Sequence, residues 1–149
     1  MTKDVLLRVK GLQYELLGQG QGDVETITPA EYYRLDGVHY ILFDEVASDS
    51  PLPIKNQLKI GEDYLELSKK GAVNVDMIFE EKKKSLSNYS TPFGEVTIGV
   101  DTGAVRTTED EKQILVEVDY RLDVNYVYMA DCKISALVTS RATGLSLIE

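Results

Sequence analysis

The chain holds few of the side chains that catalysis or metal binding would need. His39 is its only histidine, so a histidine-rich metal site and catalysis by paired histidines have no residues to draw on. Cys132 is the only cysteine. It falls on the apolar parity of the last predicted strand, where it reads as a small buried hydrophobe and not as a nucleophile. Serines and carboxylates accompany His39, but no Gly-x-Ser-x-Gly elbow or similar context gathers them into a triad. Gly18-Gln19-Gly20-Gln21-Gly22 has the glycines of a phosphate loop without the following helix or the Lys-Ser/Thr pair, and reads as a flexible connection. The expectation is therefore no enzyme, no catalytic residue, no metal site and no cofactor.

One carboxylate stands apart from the many. Glu45 shares strand parity with Ile41 and Phe43, so if those face a core, an acid points into or near it and requires a partner. Lys69 is the candidate for that partner. The alternative is that Glu45 marks a strand end where the pleat meets solvent. Nine tyrosines supply the other polar groups that could line a pocket, since tyrosine offers an apolar wall and a hydroxyl together. Most suit ordinary strand packing. Tyr89, Thr91, Tyr120 and Tyr128 are the ones expected to point inward as polar handles. With Glu45 and Lys69 they make up the candidate ligand-binding set. The run Glu80-Glu81-Lys82-Lys83-Lys84 reads as a solvated hairpin tip.

The elements that must position these residues alternate with period two nearly throughout. Val5, Leu7 and Val9 open the chain as a strand. Val24 to Thr28 and Tyr32 to Leu35 follow as short strands, although Thr28-Pro29-Ala30-Glu31 between them also fits a capping box at the start of a short helix. Asp36-Gly37 predicts a primed hairpin turn into Val38 to Val46. Ile54 to Ile60, Tyr64 to Ser68 and Val73 to Phe79 come next, separated by Gly61-Glu62-Asp63 and Lys69-Lys70-Gly71. Leu86 to Thr91 and Val96 to Thr102 form another pair. The last pair is the clearest: Ile114, Val116, Val118, Tyr120 and Leu122 share one face, answered by Tyr128, Ala130, Cys132, Ile134, Ala136 and Val138. About eight to ten strands at this spacing, joined by short loops, predict an all-β antiparallel fold. The expected form is an up-and-down barrel, with a β-sandwich as the alternative.

A length of 149 residues suits one domain over 1–149 with its own core. Lys and Arg total 16 against 25 Asp and Glu, a net charge of −9 that repels nucleic acid and anionic membrane surfaces. With no apolar h-region, no long apolar run and no possible internal disulfide, a cytoplasmic location is expected.

Three stretches carry a family likeness: Tyr40-Ile41-Leu42-Phe43-Asp44-Glu45, then Lys70-Gly71-Ala72-Val73 with Met77-Ile78-Phe79, and Tyr89-Ser90-Thr91-Pro92-Phe93-Gly94. Over nearly the whole chain they resemble the bacterial DUF1934, or YwiB-like, family of small calycin-like proteins. Phe43 and Lys69 stand where that pattern carries tyrosine and arginine. The resemblance implies a lipocalin-like β-barrel without an established activity. Such a barrel is wide enough to hold one small, mainly apolar ligand. The alternative is a filled barrel whose outer surface binds a protein, including its own copy, through a segment such as Tyr32-Tyr33. Ala130, Cys132, Ala136 and Gly99 are read as small inward residues that favour the cavity.

Overall fold

Alternating apolar and polar side chains become ten antiparallel strands, and no helix among the described residues, in the computed structural model, which describes residues 3–11, 25–46, 51–71, 74–91 and 94–141. The strands are β1 (Asp4–Lys10), β2 (Glu25–Leu35), β3 (Val38–Glu45), β4 (Ile54–Ile60), β5 (Tyr64–Lys70), β6 (Val75–Glu80), β7 (Lys83–Thr91), β8 (Gly94–Glu109), β9 (Gln113–Val124) and β10 (Val127–Ser140). They hydrogen-bond in the order β6-β5-β4-β3-β2-β1-β10-β9-β8-β7, so β1 lies between β2 and β10 and joins the chain's two ends. The outer members, β6 and β7, are linked by the Glu81-Lys82 turn and meet at a bridge between Asn74 and Ser90. Ser87 Oγ adds a hydrogen bond to the Asp76 carbonyl across the same seam. The result is a nearly closed up-and-down barrel, consistent with a lipocalin-like fold. Among the described residues, no helix is long and apolar enough to cross a membrane.

The predicted inward parity forms one continuous core. Leu7, Ile41, Leu58, Leu67, Phe79, Val118 and Ile134 are fully buried within it. Asp36 and Gly37 have φ of 53° and 81°, the primed turn that an Asp-Gly pair favours between strands.

Four local expectations are corrected. Thr28-Pro29-Ala30-Glu31 is not a helix start. It runs through the middle of β2 because β1 lies alongside and pairs Leu7 with Thr28 and Leu6 with Pro29. Lys69 and Lys70 belong to β5 and not to a loop, since β4 and β6 pair with Lys69 at Asn56 and Val75. Gly99 faces outward between inward Ile98 and Val100, beneath Leu86 and Asp123, so it leaves no space in the interior. Tyr128 is 54% exposed. The register shifts between Tyr128 and Ala130, with Met129 as the extra residue, and this reverses the parity on either side of the bulge. Gly18 to Gly22, Ala72, Val73, Pro92 and Phe93 lie outside the described residues.

Gly11 ends β1 at φ 83°, and a β-carbon there would sit 2.1 Å from the Lys133 carbonyl oxygen. Gly11→Ala is expected to lower stability by at least about 1–2 kcal/mol, the cost of a left-handed backbone alone. Urea unfolding checks this, and an unchanged midpoint would reject the close approach.

Candidate functional site

β2 pairs with β1 over Glu25 to Glu31 but with β3 only over Glu31 to Leu35. Tyr32 N–H donates to the Lys3 carbonyl at 2.7 Å, which sets the parity of the β1–β2 ladder. Even-numbered residues of β2 turn their backbone groups to β1 and odd-numbered ones to β3. Beyond Glu31–Leu42, the next hydrogen-bonded pair with β3 would be Pro29–Asp44, and proline has no N–H to give. The ladder stops there. β3 continues with β4 through Phe43–Asn56, Asp44–Lys55 and Glu45–Ile54, and a cleft of about 730 Å³ opens in the barrel wall. Thr28, Ala30, Phe43 and Asn56, on the inward parity, form its floor. Asp4, Glu31, Asp44, Lys55 and Arg141 form its rim.

Asn56 is 3% exposed. Its Nδ2 donates to Glu45 Oε1 at 3.2 Å and to the Ile54 carbonyl at 3.3 Å. Two acceptors on that side fix the orientation of the amide. Its Oδ1 is buried and finds no donor among the described residues. Behind it, the Lys69 side chain, 6% exposed, donates from Nζ to the same Glu45 Oε1 at 2.5 Å. Glu45 is 28% exposed, so the pair reaches toward the barrel end instead of lying sealed at its centre. Tyr89 is buried on β7. Burial first, and the Glu45 carboxylate second, push its phenol above the usual tyrosine range.

Of the residues singled out from sequence, Glu45, Lys69 and Tyr89 come together at this end of the barrel. Thr91, two residues on from Tyr89, closes β7 opposite Gly94. Tyr120 is inward but elsewhere, its ring edge-on to Phe79 with centroids 4.8 Å apart. It pairs with Thr102, six residues along β8 from the partner of Tyr89, roughly 20 Å at about 3.3 Å per residue. Tyr128 is outside the barrel, beneath the Arg121 guanidinium at 5.2 Å from the ring centroid. Sequence reasoning missed Asn56 and Arg141. Asn56 was open to discovery, as a polar residue on the parity of Ile54, Leu58 and Ile60. Arg141, outside every predicted strand, gave no such signal.

A second polar group involves β2, β3 and β8. His39 is buried, with Nε2 3.1 Å from Glu109 Oε1 and Nδ1 2.8 Å from the Tyr32 hydroxyl. A carboxylate only accepts, so in the neutral ring Nε2–H donates to Glu109 and Tyr32 O–H donates to Nδ1. The order hydroxyl, imidazole, carboxylate is that of a nucleophile triad. Burial, however, holds the Tyr32 phenol above its ordinary range, the reverse of an activated nucleophile. Among the described residues, no group of three His, Cys, Asp or Glu side chains is placed to hold a metal ion.

The model of a family described as a domain of unknown function, DUF1934, matches residues 8–135. Among solved structures, the ywiB protein from Bacillus subtilis is similar, with a TM-score of 0.74 at 19% sequence identity over 95% of this chain and 93% of that one. At that identity the likeness is one of fold. No curated protein matches the sequence.

Because the folded protein holds the Tyr89 proton more tightly than the unfolded chain does, the stability this provides is present below pH 10 and fades as pH rises through the raised value. Glu45→Gln removes one of the two causes and is expected to move the Tyr89 titration down toward the ordinary range. Tyrosinate absorbance, differenced against Tyr89→Phe, reads the shift, and an unmoved curve would separate the two groups. His39→Leu leaves two partners short of their bonds and is expected to cost about 1–3 kcal/mol in chemical denaturation.

Proposed function

We propose that this chain, which belongs to the DUF1934 family, is a binding protein and not an enzyme, taking one small, mainly apolar molecule at the polar end of the barrel interior. The molecule enters through the opening between β2 and β3. The observation that carries this reading is Asn56 Oδ1, a buried acceptor without a donor on the floor of an open cleft. Native proteins rarely leave such atoms unmatched, and a ligand group that donates to it removes the penalty. Phe43 and Ala30 supply an apolar wall beside it, and a volume of about 730 Å³ falls in the range of small-molecule sites. Glu45, Lys69 and Tyr89 act from behind: Glu45 holds the Asn56 amide in place, Lys69 neutralises Glu45, and Tyr89 stands near both.

A second reading has its own observation. Tyr126, Val127, Tyr128 and Met129 are all exposed at the β9–β10 hairpin, with Leu86 also exposed on β7. Exposed apolar side chains of this kind suit contact with another protein or a second copy of this chain.

Native mass spectrometry of gently purified protein, compared with its denatured mass, separates the two. Bound mass that is lost on denaturation, and absent from Thr28→Phe, is the expected result, because a half-buried Thr28 can be enlarged into the cleft. A bare mass at twice the chain's value would favour the second reading and abandon the first.

A further inference from the structure

Beside the cleft, the outer wall of β4 and β5 carries a hollow of about 210 Å³ whose side chains are mostly donors. Lys55 and Lys70 are direct cross-strand partners there, and so are Gln57 and Ser68 two residues along. All four stand on the outward parity, alternating with buried Ile54, Asn56, Leu58, Leu67 and Lys69. Directly opposed β-carbons lie about 5 Å apart and diagonal ones within about 8 Å, so the four side chains surround one spot.

The ladder gives Lys70 no counter-charge. Its partner on β4 is another lysine, and on the other side the register leads to Asn74, which is uncharged and bonded to Gly71. Lys70 forms no ion pair, and Gln57 no side-chain hydrogen bond, among the described residues. The acids on either flank are already engaged: Asp44 lies 3.1 Å from Lys55 Nζ, and Asp76 accepts from Ser68 Oγ at 3.2 Å. Lys55 is thereby spent on Asp44. An ammonium and an amide NH2, at Lys70 and Gln57, remain to be answered.

We infer that this hollow takes an oxyanion, held by Lys70 Nζ and Gln57 Nε2, and that the cleft's ligand is an amphiphile with that oxyanion as its head. The second half rests on the reading of the cleft as a ligand site; the first half does not. Hollow and cleft adjoin, because Leu42, Lys55 and Asn56 line both. An apolar body against Phe43 and Ala30 thus leaves its end beside Lys70. A carboxylate or phosphate monoester brings acceptors and negative charge to donors that lack both, in charge-assisted hydrogen bonds.

Calorimetric titration of the full chain with octyl phosphate, octan-1-ol and inorganic phosphate tests head and body separately. Octyl phosphate is expected to bind about tenfold or more tightly than either of the others, the scale of one charge-assisted hydrogen bond. Lys70→Met should erase its advantage over octan-1-ol, and Lys70→Arg should keep it, with circular dichroism melts unchanged because Lys70 is exposed. If octan-1-ol binds as tightly as octyl phosphate, or the advantage survives Lys70→Met, the oxyanion site fails while the cleft remains a ligand site. If inorganic phosphate binds as tightly as octyl phosphate and Lys70→Met abolishes both, the hollow is an anion site and the amphiphile falls. If none of the three binds, the whole inference fails, and native mass spectrometry of the purified protein still decides the cleft reading by itself.

Discussion

A missing N–H at Pro29 shapes this barrel more than any contact that is present. A closed meander has no free edges, and each strand's backbone groups are answered by neighbours on both sides. β2 obeys this with β1 over Glu25 to Glu31, yet on its other side the ladder with β3 ends at Glu31 and Leu42. Two residues further, at Pro29, the side of β2 that faces β3 carries no donor. β3 therefore stays with β4 and parts from β2, and the wall opens where inward Phe43 and Asn56 become reachable from outside.

Asn56 and Lys69 lie at this opening, His39 forms a second polar group, and Thr102 is the remaining buried polar residue among those described. Burying a lysine, a glutamate and an asparagine together is costly unless each finds its partner. Glu45 Oε1 meets most of that requirement by accepting from both Lys69 and Asn56, and its own partial exposure lets water share the charge. His39 is treated the same way, with one ring nitrogen toward Glu109 and the other toward Tyr32. The one substantial mismatch at the Glu45 cluster is the carbonyl of Asn56, and it lies on the side of the cleft. Elsewhere, at Thr102, the buried hydroxyl beside the β8 bulge is likewise unanswered among the described residues.

The outer surface follows a different constraint. Irregularities in the β8–β9 and β9–β10 ladders change which side chains face out. The bulge at Met129 turns Tyr128 from the interior to the surface, where it joins Tyr126 and Val127 in an exposed apolar strip. An extra residue in one strand thus moves a tyrosine from a candidate pocket to a candidate contact surface without changing the residue itself.

Strand identity, the Asp36-Gly37 turn, the core parity of β1, β4 and β9, and the shared parity of Glu45 with Ile41 and Phe43 could be read from local pattern, because a period of two assigns each side chain to a face without reference to other strands. Placement along the barrel could not. Tyr89 and Tyr120 have the same parity but lie at different heights, and height depends on register between strands, which the alternation leaves open. Tyr128 was misplaced for a related reason: a bulge is a property of two paired strands. The segment around Pro29 looked like a helix start because its local signals are those of a cap, and only the presence of β1 beside it made it a strand. Sequence alone thus determined the all-β strand pattern and most of its inward parity, and offered Lys69 as the candidate partner of Glu45. The tertiary structure decided where the wall opens and which buried atoms are left facing that opening, because both depend on hydrogen-bond partners distant in the chain.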